Sequence, residues 1–194
     1  MLDERRLSRV IEKMTTDCLL ITDPVSIAYL CGKKIEPGER FLGLLIGKGI
    51  EPVLILNQLF RFSEEIGVRV EYYKDTDRIT KVISKFIDKN SSLGVDKIMP
   101  ARFLIPMMEE SIASEFKLGS YAVDHTRAVK DAREQELMRA ASHINDLAMA
   151  EFKKLIHEGV TEVEVASQLL DIYLKLGARG YSFEPIVAFG KHAA

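Results

Sequence analysis

Apolar positions in the first two thirds of the chain occur either at helical spacing or in short continuous runs. Leu7, Val10, Ile11 and Met14 recur every three or four residues, which is typical of an amphipathic helix. The apolar run at 18–22 then predicts a buried strand. Further elements predicted in the same way are helices at 23–32, 58–66, 77–89 and 100–115 and strands at 41–46, 52–56, 68–73, 93–95 and 121–123.

These strands and helices alternate along the chain, with one hairpin inserted. The hairpin joins 41–46 to 52–56 through Gly47-Lys48-Gly49, where the glycines favour a turn. Neither of its strands alternates between apolar and polar residues, which predicts a sheet covered on both faces. The pattern therefore indicates an α/β domain, with a mixed sheet flanked by helices, over residues 1–126.

Two long amphipathic helices are predicted in the last third. Asp131 and Glu134 have the spacing of a capping box, and Thr161 and Glu164 repeat that spacing at the start of the second helix. Each helix then carries a stripe of apolar positions, as expected of helices that cover a flat surface. The positions in these stripes are Leu137, Ala140, Ala141, Ile144, Leu147, Ala148, Phe152, Leu155, Ile156, Val165, Ala166, Leu169, Leu170, Tyr173 and Leu174.

One strand-like run, at 183–189, follows the two helices. A single strand cannot cover two apolar helix faces, and its own backbone groups need a neighbouring strand. Residues 127–194 are therefore expected to form two long helices and one strand of a second, incomplete domain.

Composition and charge narrow the classes of partner. The chain has 194 residues, 47% of them apolar, and a formal net charge of −2. The Lys and Arg residues form no run longer than is usual on a solvated surface. This argues against nucleic acid and anionic lipid as partners. No apolar run is long enough to cross a membrane, and the charged N-terminus lacks a secretion pattern. We expect a cytoplasmic protein, without a membrane or nucleic-acid partner, in which Cys18 and Cys31 are buried thiols.

Few side chains suggest chemistry by themselves. Gly47-Lys48-Gly49 lacks the further glycines of a phosphate-binding loop, and His125 has no defined nucleophile or metal partner. His143 and Glu162 each have an acidic neighbour close in sequence but lack the additional ligands of a metal site. We expect structural roles for all of them, and no catalytic residue or cofactor in this chain.

Short motifs follow one another in a fixed order along the whole chain. They include the segment 20–32, Arg127-Ala-Val-Lys130, Glu136-Leu-Met-Arg139, Gly159-Val-Thr-Glu162 and Ser182-Phe-Glu-Pro-Ile-Val-Ala188. Their order and spacing resemble the Xaa-Pro peptidase family, which comprises prolidase, aminopeptidase P and creatinase.

The resemblance implies both a fold and an activity. Family members join a creatinase/prolidase N-terminal domain, here 1–126, to a "pita-bread" metallopeptidase domain, of which 127–194 would be the beginning. Their peptidases hydrolyse the bond before proline with two divalent metal ions (Mn, Co or Zn) bound by two Asp, one His and two Glu. These ligands are expected beyond position 194, so the chain alone is expected to bind no metal pair and to be inactive.

The resemblance also supplies candidate site residues. Phe183, Ile186 and Val187 match the strand that lines the pocket for the proline-containing peptide. Glu39 and Arg40 match a loop that in prolidases approaches the active site of the neighbouring subunit. We therefore expect a homodimer in which this loop makes contacts across the subunit boundary.

Two residues near the end depart from the family pattern. Phe189 replaces a small polar residue, and His192 occupies the position of an asparagine, so His192 is not the substrate-side histidine of the family. The sequence leaves open whether a dipeptidase or an aminopeptidase is encoded. A second function also stays open, namely a non-catalytic peptide-binding or dimerisation module of the same fold.

Overall fold

A computed structural model describes residues 1–193, in two compact units, Met1–Val129 and the residues from Lys130 onward. The strands of the first unit are β1 (Cys18–Ile21), β2 (Leu42–Gly47), β3 (Ile50–Asn57), β4 (Arg69–Tyr73), β5 (Ser92–Val95) and β6 (Glu115–Leu118). They form one sheet in the order β4-β3-β2-β1-β5-β6. β2 is antiparallel to both of its neighbours, and the other three pairs are parallel.

Helices cover both faces of this sheet. They are α1 (Glu4–Glu12), α2 (Pro24–Cys31), α3 (Ile79–Ile83), α4 (Ala101–Glu109) and α5 (Ser120–Ala128). Leu19 and Ile21 of β1 pack into a cluster with α1, α2 and α5, whereas Cys18 and Leu20 pack into a second cluster with α3 and α4. Because both faces are buried, the strands need no polar alternation. The predicted mixed sheet flanked by helices is confirmed.

The strand predicted at 121–123 is wrong. Residues 121–123 lie inside α5, and the sixth strand is formed by Glu115–Leu118, which the sequence had placed at and beyond the end of a helix. The preceding helix ends earlier because Ser111 has a positive φ of 47°, a conformation that interrupts a helix. β6 is a short edge strand with mostly exposed residues, so its apolar pattern is weak.

Two further predicted helices are also shorter than expected. Residues 58–66 contain only the 3₁₀ turn Gln58–Phe60, since Arg61 has a non-helical ψ of 138°. The helix predicted at 77–89 is reduced to α3, where Arg78 at the start supplies no capping hydrogen bond. Apolar spacing alone did not show where these helices stop.

The second unit contains α6 (Ala132–Phe152) and α7 (Glu162–Lys175), with 3₁₀ turns at Lys153–Leu155 and Gly190–His192. Both predicted capping boxes are present. Much of the predicted apolar stripe is nevertheless exposed, and in α6 the side chain of Ala148 is buried while Leu137 is 62% exposed. No helix within residues 1–193 has the length and apolar content required to cross a bilayer.

The strand predicted at 183–189 is not formed in the described part of the chain. A strand needs a partner for its backbone groups, and the second unit offers no other strand within the residues described. The backbone N–H of Phe189 donates instead to a side-chain carboxylate, that of Glu162. The segment therefore follows α7 without belonging to a sheet.

Candidate functional site

The predicted cross-subunit loop ends at Arg40, which is held by its own unit. The Arg40 guanidinium donates through Nε to Asp75 Oδ1 at 2.9 Å and through Nη2 to Asp75 Oδ2 at 3.0 Å. This bidentate pairing fixes the plane as well as the position of the guanidinium. These bonds lower the pKa of the Asp75 carboxyl and raise that of Arg40, so both groups stay charged. Glu39 beside them is exposed.

Buried polar groups extend this pair into the sheet. Asn57, fully buried at the end of β3, donates through Nδ2 to Asp75 Oδ1 at 2.7 Å and accepts from the Leu59 N–H at 3.0 Å. At the end of the parallel neighbour β4, the Tyr73 hydroxyl donates to the Phe41 carbonyl at 2.9 Å. Burial raises the pKa of the Tyr73 hydroxyl, which keeps it protonated as a donor.

An open cleft of about 440 Å³ lies beside this network. The Phe41 ring packs edge-on against Phe103, with centroids 5.1 Å apart, and the Arg102 guanidinium lies 4.8 Å from the centroid of the Phe103 ring. Acidic and basic groups are mixed around the opening, so charge alone selects no ligand. Its lining includes Glu39, Arg40, Tyr73, Asp75, Arg102 and Phe103.

The three predicted pocket residues lie in the second unit and differ in exposure. Phe183 is 80% exposed and Ile186 is 92% exposed, whereas Val187 is half-buried. Phe183 borders a groove of about 450 Å³, and Ile186 and Val187 do not line it. The groove lining includes Ala141, Ile144, Leu169, Tyr173, Tyr181 and Phe183. A role for the three residues in substrate binding stays a prediction.

Several residues that position these candidates were missed from the sequence. Asn57, Tyr73 and Asp75 lie at the carboxyl ends of two parallel strands, and polar residues at such ends are a recognisable signal once the strands are assigned. The sequence pattern offers Glu162 only a weak case as a metal ligand, whereas its carboxylate accepts a hydrogen bond from the segment that contains Phe183. This contact could not be predicted from a local sequence pattern, because 27 residues separate Glu162 from Phe189.

The described residues contain no cluster of side chains suited to bind a metal ion. Within residues 1–193, no three side chains of His, Cys, Asp or Glu lie close enough together to hold a metal ion. Cys18 and Cys31 are buried free thiols, as predicted, and burial raises the pKa of Cys31 to about 11. A thiol with such a pKa is a poor ligand and nucleophile at neutral pH.

Comparison with known proteins identifies related chains over nearly the whole length. The chain is 28% identical over 205 residues to an uncharacterized peptidase of Staphylococcus epidermidis, covering 98% of this chain and 54% of that protein. It therefore spans about half the length of this relative.

Two solved structures share the fold. A dipeptidase from Pyrococcus horikoshii OT3 superposes with a TM-score of 0.78 at 23% identity, over 93% of this chain and 52% of that one. An Xaa-Pro dipeptidase from Bacillus anthracis superposes with a TM-score of 0.74 at 23% identity, over 93% of this chain and 51% of that one. At this level of identity the likeness concerns the fold.

Family models match the chain in two consecutive parts. The model of the creatinase/prolidase N-terminal domain matches residues 5–133, and the model of metallopeptidase family M24 matches residues 136–194. The first match alone covers well over half of the chain, and the order of the two is the order implied by the sequence motifs. The chain therefore belongs to the creatinase/prolidase family, with the family's N-terminal domain followed by a segment that matches metallopeptidase family M24.

Proposed function

We propose that this chain is the N-terminal portion of a metal-dependent Xaa-Pro dipeptidase or aminopeptidase, which hydrolyses the peptide bond before proline. The consecutive family matches, 5–133 and then 136–194, are the observation that carries this proposal. Within it, residues 1–126 form the N-terminal domain and 127–194 begin the metallopeptidase domain. The superposition on two dipeptidases supports the assignment of the fold.

In the complete protein, the hydrolytic chemistry would be supplied by two divalent metal ions, Mn, Co or Zn. The described residues do not fit such a site, because no three metal-binding side chains lie close together within residues 1–193. No step of the reaction is therefore assigned to them. We propose that the 194-residue chain alone is inactive.

The candidate residues of this chain bind the peptide or contact the second subunit. Phe183, Ile186 and Val187 contact the proline-containing peptide in the complete protein, and the exposure of Phe183 and Ile186 leaves both available for this. Glu39 and Arg40 contact the second subunit of a cytoplasmic homodimer. Asp75 supports that contact because it holds the Arg40 guanidinium through two hydrogen bonds.

A non-catalytic peptide-binding or dimerisation module is the second candidate function. The groove of about 450 Å³ beside the exposed ring of Phe183 favours it, since aromatic and apolar walls suit a peptide side chain. Such a module would use the same surface without metal chemistry.

Reading the gene beyond the codon for Ala194 separates the two candidates. The peptidase requires a frame that continues through a Pro-His pair, two spaced Asp and later His and Glu residues, because these supply the substrate-side histidine and the metal ligands. We expect that frame. A stop codon directly after Ala194, confirmed by the mass of the protein purified from its source cells, would contradict the peptidase and support the module.

A further inference from the structure

Glu162 lies at the first position of α7, yet the cap of that helix does not use it. The cap is formed by Thr161 and Glu164, whose carboxylate accepts from the Thr161 N–H at 2.9 Å while Thr161 Oγ1 accepts from the Glu164 N–H at 3.3 Å. The Glu162 carboxylate is therefore available to other partners. It accepts from the Phe189 N–H at 2.7 Å and lies 3.0 and 3.1 Å from His192 Nδ1.

A second attachment lies one turn further along the same helix. The Tyr181 hydroxyl donates to the carbonyl of Ala166 at 2.8 Å, and the Tyr181 ring packs edge-on against Tyr173 with centroids 5.7 Å apart. Residues four apart lie on one face of a helix, so Glu162 and Ala166 share a face of α7. The chain leaves the carboxyl end of α7 and returns along it toward the amino end.

We propose that Glu162 is a positioning residue, whose carboxylate fixes the backbone at Phe189 and, together with Tyr181, holds residues 182–188 along α7. Between the two attachments lie the three candidate pocket residues, and no strand in the described second unit supports this segment. A hydrogen bond from a backbone N–H to a carboxylate is among the stronger kinds. The relevance to a substrate pocket rests on the proposed function, whereas the attachment itself does not.

Protonation of Glu162 should weaken the hydrogen bond to Phe189, because a neutral carboxyl group is a poorer acceptor than a carboxylate. The backbone N–H of Phe189, and after it His192, lower the pKa of the Glu162 carboxyl. The titratable groups beside it are His192, whose ring contacts the carboxylate, Lys191 next to His192 in the chain, Glu164 on α7, and His157 before the helix. Because the pKa of Glu162 is lowered in the folded chain, the stabilisation that depends on its charge is complete above the ordinary glutamate pKa and is lost as the pH falls through the lowered value.

Nuclear magnetic resonance of the ¹⁵N-labelled 194-residue chain tests this inference through the Phe189 amide. In the parent chain we expect an amide protected from solvent exchange, whose proton shift moves in acid with a midpoint below the ordinary glutamate pKa. Glu162→Ala should make exchange at Phe189 faster by about tenfold or more, since the acceptor is gone. Glu162→Gln keeps an acceptor, so it should preserve much of the protection and abolish the acid-dependent shift.

Two further variants act as controls. Glu184→Gln removes the same charge from an exposed carboxylate on the returning segment and should leave the Phe189 amide unchanged. His192→Asn should leave the bond to Phe189 in place, since the ring is a separate partner of Glu162. Unchanged amide signals from α6 show that the second unit of each variant is folded.

An unprotected Phe189 amide in the parent chain would overturn the inference. Equal exchange rates in the parent chain and the Glu162→Ala variant would do the same. The experiment contains no substrate, so failure of this attachment and failure of the peptidase proposal are separate results.

Discussion

Replacing Asp96 with alanine is expected to lower the free energy of unfolding of the first unit by about 2–5 kcal/mol, because two backbone donors lose a buried charged acceptor. Asp96 follows β5, is 8% exposed, and accepts from the Thr22 N–H at 2.5 Å, the Thr22 hydroxyl at 2.7 Å and the Asp23 N–H at 2.7 Å. These bonds join the end of β5 to the end of the parallel strand β1. Urea unfolding followed by circular dichroism measures the loss.

Two variants calibrate the result for Asp96. Asp96→Asn retains one acceptor oxygen and should lie between the parent chain and the alanine variant. Asp124→Ala removes an exposed carboxylate paired with Lys97 at 2.7 Å, and such surface pairs contribute at most about 1 kcal/mol. Equal stabilities of the Asp96→Ala and Asp124→Ala variants would contradict the structural role assigned to Asp96.

Replacing Phe41 with alanine is expected to destabilise the first unit by about 3–5 kcal/mol, as for other fully buried aromatic side chains. Phe41 is 1% exposed, packs against Phe103, and directly follows Arg40 in the chain. The cavity left by its ring should therefore also loosen the Arg40 loop. Thermal or urea unfolding measures the stability, and cleavage by trypsin after Lys33, Lys34 or Arg40 reports the order of the loop.

Phe183→Ala provides a matched control for Phe41. The same atoms are removed from a ring that is 80% exposed, so the change in stability should stay within about 0.5 kcal/mol. A loss of stability at Phe183 comparable to that at Phe41 would mean that Phe183 is buried and unavailable to a ligand. Unchanged trypsin cleavage in the Phe41 variant would contradict the link between its ring and the loop.

Local sequence signals predicted the features that depend on neighbouring residues. The continuous apolar runs of β1 and β2 reflect burial on both faces, and the Asp131 and Thr161 boxes fix the starts of α6 and α7. β6 was missed because an edge strand with exposed residues carries little apolar pattern. The strand predicted at 183–189 fails for a different reason, since a strand depends on partners that apolar pattern alone does not reveal.

The candidate site depends on contacts that no local pattern shows. Arg40 and Asp75 are 35 residues apart, and Asn57 reaches Asp75 across 18 residues. Only the parallel pairing of β3 and β4 brings their carboxyl ends together. The resemblance identified Glu39 and Arg40 as candidates. Asp75, which holds the Arg40 guanidinium, could be identified only from the fold.

Hydrolysis of an Xaa-Pro dipeptide tests the central claim most directly. The product of the complete reading frame and the 194-residue chain are purified separately, supplied with Mn²⁺ or Co²⁺, and assayed before and after treatment with a chelator. We predict hydrolysis by the complete product, lost on chelation because two metal ions activate the attacking water, and no hydrolysis by the 194-residue chain. Hydrolysis by the 194-residue chain, or none by the complete product with metal present, would contradict the account.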